Sequence, residues 1–130
     1  MISYLDTSAA MKLLVEEAES AALVAYLQSS VDERQILAAW LLHTELHCVA
    51  NRHPDDVEIE SVGVVLDTIS LIDVSRGDLL TAGTLPGRLR SNEAIHLAVA
   101  LRVGADEMIT YDAELAEASR GAGLTVVAPG

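Results

Sequence analysis

Residues 91–115, SNEAIHLAVALRVGADEMITYDAEL, decide the fold class. Ser91 or Asn92 is placed to cap a helix running through Val103, with an interior of Ala, Leu, Ile and Val, and Gly104 supplies its stop. Glu107–Thr110 then reads as a short strand. The chain breaks at Asp112, and Ala113–Ser119 resumes a helical pattern that ends at Gly121. A helix, a short strand and a second helix form the repeating unit of a parallel sheet covered on both faces.

The same alternation extends outward. Ile2–Leu5 is an apolar run stopped by Asp6, after which Ala9, Ala10, Leu13 and Leu14 recur at helical spacing. Ser20 is placed to cap a helix carrying Leu23, Val24 and Leu27. Ile36–Ala39 reads as a strand leading into a helix that starts near Trp40, and His53–Pro54–Asp55 ends that helix and caps another over 56–68. Ser70–Val74 is expected as a strand, Arg76–Gly83 as a short helix, and Thr84–Arg90 as a loop holding Pro86 and Gly87. Leu124–Val127 supplies a last strand. The strands are continuously apolar rather than alternating, so the expected architecture is α/β: a three-layer α/β/α sandwich with a central parallel sheet, spanning 1–130 as one domain.

Composition limits what such a domain can do. The chain is 51% hydrophobic without a single Phe, so its core has to be aliphatic. The lone cysteine, Cys48, excludes an internal disulfide and a cysteine-built zinc site; with Leu46 and Val49 beside it, it is expected as a buried small hydrophobe. No apolar run is long enough to cross a bilayer, and the chain enters its first strand without a basic leader, which points to a soluble, cytoplasmic protein and no membrane partner. Acidic residues outnumber basic ones 20 to 8, for a net charge of −12, and Lys12 is the only lysine. Phosphate binding by side-chain charge alone is therefore disfavoured; a basic partner, bound cations, or both are favoured.

Four carboxylates stand out. In an open parallel sheet, ligands bind beyond the carboxyl ends of the strands where the strand order reverses. Asp6 follows the first strand and Asp112 the fourth, although an Asp at such a junction also serves as an N-cap. Glu45 shares a helix face with Leu42, Leu46 and Val49, where a charge is costly unless paired or bound to a cation. Glu93 opens the helix after Arg88–Leu89–Arg90, where an acid also complements the helix dipole. Converging carboxylates repel unless a cation offsets them, and an all-oxygen set suits Mg²⁺ or Mn²⁺ rather than zinc. His43 and His47, four apart on one helix, resemble a zinc motif, but Glu45 lies two residues after His43 and faces away from both. His96, within an Ala/Leu/Val helix, is expected to orient a neighbour rather than to act as a base.

These residues resemble the PIN-domain ribonucleases, above all the VapC-type toxins of toxin–antitoxin pairs. The likeness rests on four segments in order: Tyr4–Leu5–Asp6–Thr7–Ser8–Ala9; Thr44–Glu45–Leu46; Arg90–Ser91–Asn92–Glu93–Ala94–Ile95–His96–Leu97–Ala98; and Thr110–Tyr111–Asp112–Ala113–Glu114–Leu115. Together they cover essentially the whole chain. The resemblance implies a sheet of order 3-2-1-4-5, with Asp6, Glu45, Glu93 and Asp112 as catalytic, metal-binding acids holding one or two Mg²⁺ or Mn²⁺ ions. It also implies a ligand or water held by Thr7 or Ser8, with Thr110 in support, and RNA cleavage leaving a 5′-phosphate and a 3′-hydroxyl. A homodimer and a cognate VapB-type antitoxin complete the expectation. Arg88 and Arg90 are candidates to hold substrate phosphate. The third acid departs from the pattern: the family has Asp where this chain has Glu93, one methylene longer.

Two rivals follow from the same residues. A phosphate-accepting receiver domain could use Asp73 near the end of the third strand, but it wants a lysine after the last strand and none is there. A binding or regulatory protein of the same fold could hold a metal for structure alone.

Overall fold

The apolar runs become five strands in a computed structural model that describes residues 1–29 and 31–130. The elements follow as β1 (Ile2–Leu5), α1 (Thr7–Leu14), α2 (Ser20–Gln28), a 3₁₀ turn (Val31–Glu33), β2 (Gln35–Ala39), α3 (Leu41–Arg52) and α4 (Ile59–Leu66). They continue as β3 (Ser70–Ile72), α5 (Arg76–Ala82), α6 (Ser91–Arg102), β4 (Glu107–Ile109), α7 (Ala113–Gly121) and β5 (Thr125–Val127). Every pairing is parallel and the order is β3-β2-β1-β4-β5, as the resemblance implied. Tyr4 of the central strand is level with Leu37 on one side and Met108 on the other. The chain runs outward from β1 through β2 to β3 and returns beside β1 as β4, so the reversal lies between β1 and β4.

Helices α1 to α4 pack on one another, and α6 packs against both α5 and α7, giving the α/β/α layering. The core is aliphatic: Leu5, Leu23, Leu42, Leu46, Leu97, Met108, Ile109 and Leu115 are all buried. Each such side chain contributes about 1.5–3 kcal/mol by leaving water. Helix α6 is buried almost continuously from Glu93 to Ala100 and ends where Gly104 adopts φ +70°. At the opposite edge from the strand ends, Tyr26 donates to the buried carboxylate of Glu107 at 2.7 Å, and Arg34 stacks its guanidinium 4.5 Å from the Tyr26 ring. No helix among the described residues is long and apolar enough to cross a membrane.

Several local expectations need correction. Ser20 is the first residue of α2 rather than its cap; its hydroxyl donates to the Lys12 carbonyl at 2.6 Å and accepts the Glu17 N–H at 2.9 Å, closing the turn between α1 and α2. Within α2, Leu23 and Leu27 are buried while Val24 is 40% exposed. Helix α4 is shorter than 56–68, because the turn after Pro54 extends to Glu58. Neither Ser91 nor Asn92 caps α6, which starts at Ser91 with Arg90 in the cap position. Cys48 is exposed, since α3 buries Leu42, Leu46 and Ala50 on the other side.

Candidate active site

Asp6 sits where β1 turns into α1, and its carboxylate accepts the Ala9 N–H at 3.0 Å as the N-cap of α1. It also accepts the hydroxyls of Ser8 and Thr110, both at 2.8 Å, and is only 4% exposed. Burial pushes its carboxyl above the ordinary range in spite of these donors. Asp112 stands at the matching junction of β4 and α7 and caps α7 through the Leu115 N–H at 2.8 Å. Thr110 joins the two ends: it donates to Asp6 and accepts the Asp112 N–H at 3.0 Å. Ser8 adds a second stitch by accepting the Tyr111 N–H at 2.9 Å. The N-cap roles of Asp6 and Asp112 are therefore real, and both remain at the switch point.

Glu93, in the first turn of α6, accepts the Arg90 N–H at 3.0 Å and is 8% exposed. Burial raises its pKa, the Arg90 N–H lowers it, and the carboxylate of Asp112 opposite raises it again, leaving it above the usual glutamate range. Asp6, Glu93 and Asp112 line one cleft of about 110 Å³ together with Thr7, Ser8, Arg90, Asn92 and His96.

Glu45 stands behind the wall of that cleft. Its Oε1 accepts Thr7 Oγ1 at 2.8 Å and lies 2.6 Å from His96 Nε2, while Oε2 accepts Asn92 Nδ2 at 3.0 Å. Burial raises the Glu45 pKa, but these donors outweigh it and hold the group below its ordinary value. The partners of this inward-facing acid are thus a histidine, an amide and a hydroxyl. His96 is 1% exposed and its Nδ1 lies 2.6 Å from the Tyr4 hydroxyl.

Of the predicted site residues, Asp6, Thr7, Ser8, Arg90, Glu93 and Asp112 line the cleft, and Glu45 and Thr110 bond directly to residues that line it. Arg88 points elsewhere: it lines a groove of about 780 Å³ between the 85–88 loop and α7, beside Glu114 and Glu117. Among the described residues, no three His, Cys, Asp or Glu side chains form a group that could hold a metal ion as they stand. The chemistry of the donors nonetheless suits a hard divalent cation: all are oxygens, and Glu93 faces Asp112, whose carboxylate helps to raise the Glu93 pKa. His43 and His47 stack with ring centres 4.1 Å apart, and His47 Nδ1 bonds the His43 carbonyl. Asp73 lies just past β3, the edge strand separated from β1 by β2, so it is not at the switch point.

Two participants escaped sequence reasoning. Asn92 figures in the sequence only as a candidate cap and a member of the third segment, although its place beside Glu93 in the first turn of α6 puts it near the acids. Tyr4 was read as part of an apolar strand; its phenol, a polar handle in the central strand, was the available signal.

A sequence model of the PIN domain family matches residues 3–121. Ribonuclease VapC46 of Mycobacterium tuberculosis is 35% identical, over 97% of this chain and 96% of its own length. Ribonuclease VapC35 of the same organism is 38% identical, over 98% and 96%. The crystal structure of VapBC2 from Rickettsia felis bound to a DNA fragment from their promoter superposes with a TM-score of 0.75, covering 98% of both chains at 16% identity, a likeness of fold. With the sheet order and the four motifs in place, these matches settle the family: the chain is a PIN-domain protein of the VapC group.

Proposed function

We propose that this protein is a Mg²⁺- or Mn²⁺-dependent endoribonuclease and the toxin of a toxin–antitoxin pair, its residues 1–130 forming one PIN-like domain. The observation that carries this reading is the placement of Asp6, Glu93 and Asp112 on one cleft at the switch point, with Glu45 bonded to its wall. The names of the relatives VapC46 and VapC35 support ribonuclease activity. Asp6, Glu45, Glu93 and Asp112 would hold the cation. When bound, it would lower the pKa of a water and neutralise charge on the phosphate being cut.

The chain's own residues do the rest. Asp6 is fixed by Ser8, Thr110 and the Ala9 N–H, so its carboxylate is oriented before any ligand arrives. Glu93 and Asp112 repel in the free protein and gain most when positive charge enters between them. Arg90 lines the cleft and would hold a substrate phosphate there. Arg88, in the neighbouring groove, is a candidate for a phosphate further along the strand. The net charge of −12 fits a VapB-type antitoxin that presents an Arg- or Lys-rich segment to this surface. A homodimer in the cytoplasm completes the reading.

The test is cleavage of mixed small RNA by antitoxin-free protein in Mg²⁺, in Mn²⁺ and in EDTA, beside a folded Asp6→Asn variant. Cleavage that needs metal and disappears in the variant is the expected result. One observation favours a second reading, a binding protein of the same fold with a purely structural metal: Glu93 already leans on the start of its own helix through the Arg90 N–H. Wild type and variant equally inert toward RNA, with metal bound by the wild type, would select that alternative.

A further inference from the structure

Tyr4, His96 and Glu45 come from β1, α6 and α3 and meet in one line of hydrogen bonds. The Ala39 N–H donates to the Tyr4 oxygen at 2.9 Å, so the phenol's own proton is directed to its other partner, Nδ1 of His96, at 2.6 Å. The reverse assignment would bury the phenol proton without an acceptor, which costs about 1–3 kcal/mol. Burial also holds the phenol far above its ordinary pKa and keeps it a donor. With Nδ1 accepting, the ring carries its proton on Nε2, 2.6 Å from Glu45 Oε1.

The carboxylate can then be accounted for lone pair by lone pair. Oε1 takes the Thr7 hydroxyl and the His96 N–H, which fills both of its lone pairs. Oε2 takes one N–H from Asn92 and keeps one lone pair free. The geometry points to Tyr4 and His96 as a buried strut that turns Glu45 so that it can give a divalent cation a single oxygen, Oε2. His96 is thus a positioning residue acting through Glu45. A buried imidazole and phenol in an otherwise aliphatic core are costly unless each is paired, and here each pairing ends on the carboxylate. The inference rests on the metal-dependent reading of the cleft.

Two measurements on the purified, metal-free chain test it: calorimetric titration with Mn²⁺, and nitrogen-resolved NMR of the His96 ring. In the wild type the ring should carry a proton on Nε2 and accept the Tyr4 hydroxyl at Nδ1. His96→Leu should weaken Mn²⁺ binding by about 10- to 100-fold, the range for outer partners of metal ligands. His96→Gln, whose amide nitrogen can stand in for Nε2, should recover most of that loss; a merely space-filling His96 would give no such recovery. Tyr4→Phe should leave the ring in mixed tautomers and weaken Mn²⁺ binding less than His96→Leu. Mn²⁺ held as tightly by folded His96→Leu as by wild type, or a ring protonated at Nδ1 alone, would overturn the strut. A wild type that takes no Mn²⁺ but keeps the Nε2 proton would remove the metal-dependent reading and the inference with it, leaving only the Tyr4–His96–Glu45 line of hydrogen bonds.

Discussion

Asp6 and Asp112 share a single hydroxyl, because Thr110 Oγ1 donates to the carboxylate of one at 2.8 Å and accepts the backbone N–H of the other at 3.0 Å. The ends of β1 and β4 are thereby held at a fixed spacing by a buried side chain. Thr110→Val keeps the shape and removes both bonds. We expect it to cost about 1–3 kcal/mol, the penalty for unpaired buried groups, and to lower cleavage sharply. Thr110→Ser should restore both. Urea unfolding and an RNA cleavage assay would check the pair.

Asp6→Asn should abolish cleavage while leaving the metal-free protein at least as stable at neutral pH. Asn caps a helix as well as Asp does, and the substitution removes a buried charge whose carboxyl already sits above its normal range. Thermal melts in EDTA would show whether stability is kept.

Glu93→Asp keeps the acid and shortens its reach by a methylene. Mg²⁺ demands nearer-ideal octahedral geometry. The variant should therefore gain activity in Mg²⁺ relative to Mn²⁺; an unchanged ratio would show that Glu93 does not set metal preference.

The metal-free protein should be more stable at mildly acid pH than at neutrality. Asp6 and Glu93 have folded pKa values raised above their unfolded ones, so the native state binds more protons than the unfolded state as pH falls toward the carboxylate range, and stability rises. Glu45 and Asp78 are lowered, so their contribution is present above the ordinary carboxylate pKa and is lost on further acidification. Stability against pH should pass through a maximum, and added Mn²⁺ should raise the melting temperature more at neutral pH than near that maximum. A flat profile in EDTA would contradict the raised values.

Arg90→Ala should raise KM for RNA more than Arg88→Ala, because only Arg90 lines the acidic cleft. Steady-state kinetics on a defined oligonucleotide would separate them, and equal effects would place substrate across both the cleft and the groove beside α7.

The alternation of apolar segments and the junction acids made the layered sheet and most of the cleft legible from sequence, because helical periodicity and strand ends are local properties. What was not legible depends on contacts between distant elements. The Glu45 partner lies 51 residues away on α6, and nothing near residue 45 announces it. Ser20 has a cap-like position, but its hydroxyl was claimed by the Lys12 carbonyl of the preceding helix. Cys48 and Val24 each have apolar residues close by in sequence, yet the helix rotation carries both outward. Arg88 and Arg90 are equivalent on paper and are separated only by where the loop delivers them.

The double duty of Asp6 and Asp112, each an N-cap as well as a member of the cleft, has a genetic consequence. An Asp codon becomes an Asn codon by a single transition. Because Asn serves equally well as a cap, the commonest kind of point mutation at either position should yield a folded chain that, on the proposed reading, no longer cuts RNA. If the proposed activity holds, silencing lies close at hand in sequence space while unfolding does not, and a lineage could disarm the protein without losing it.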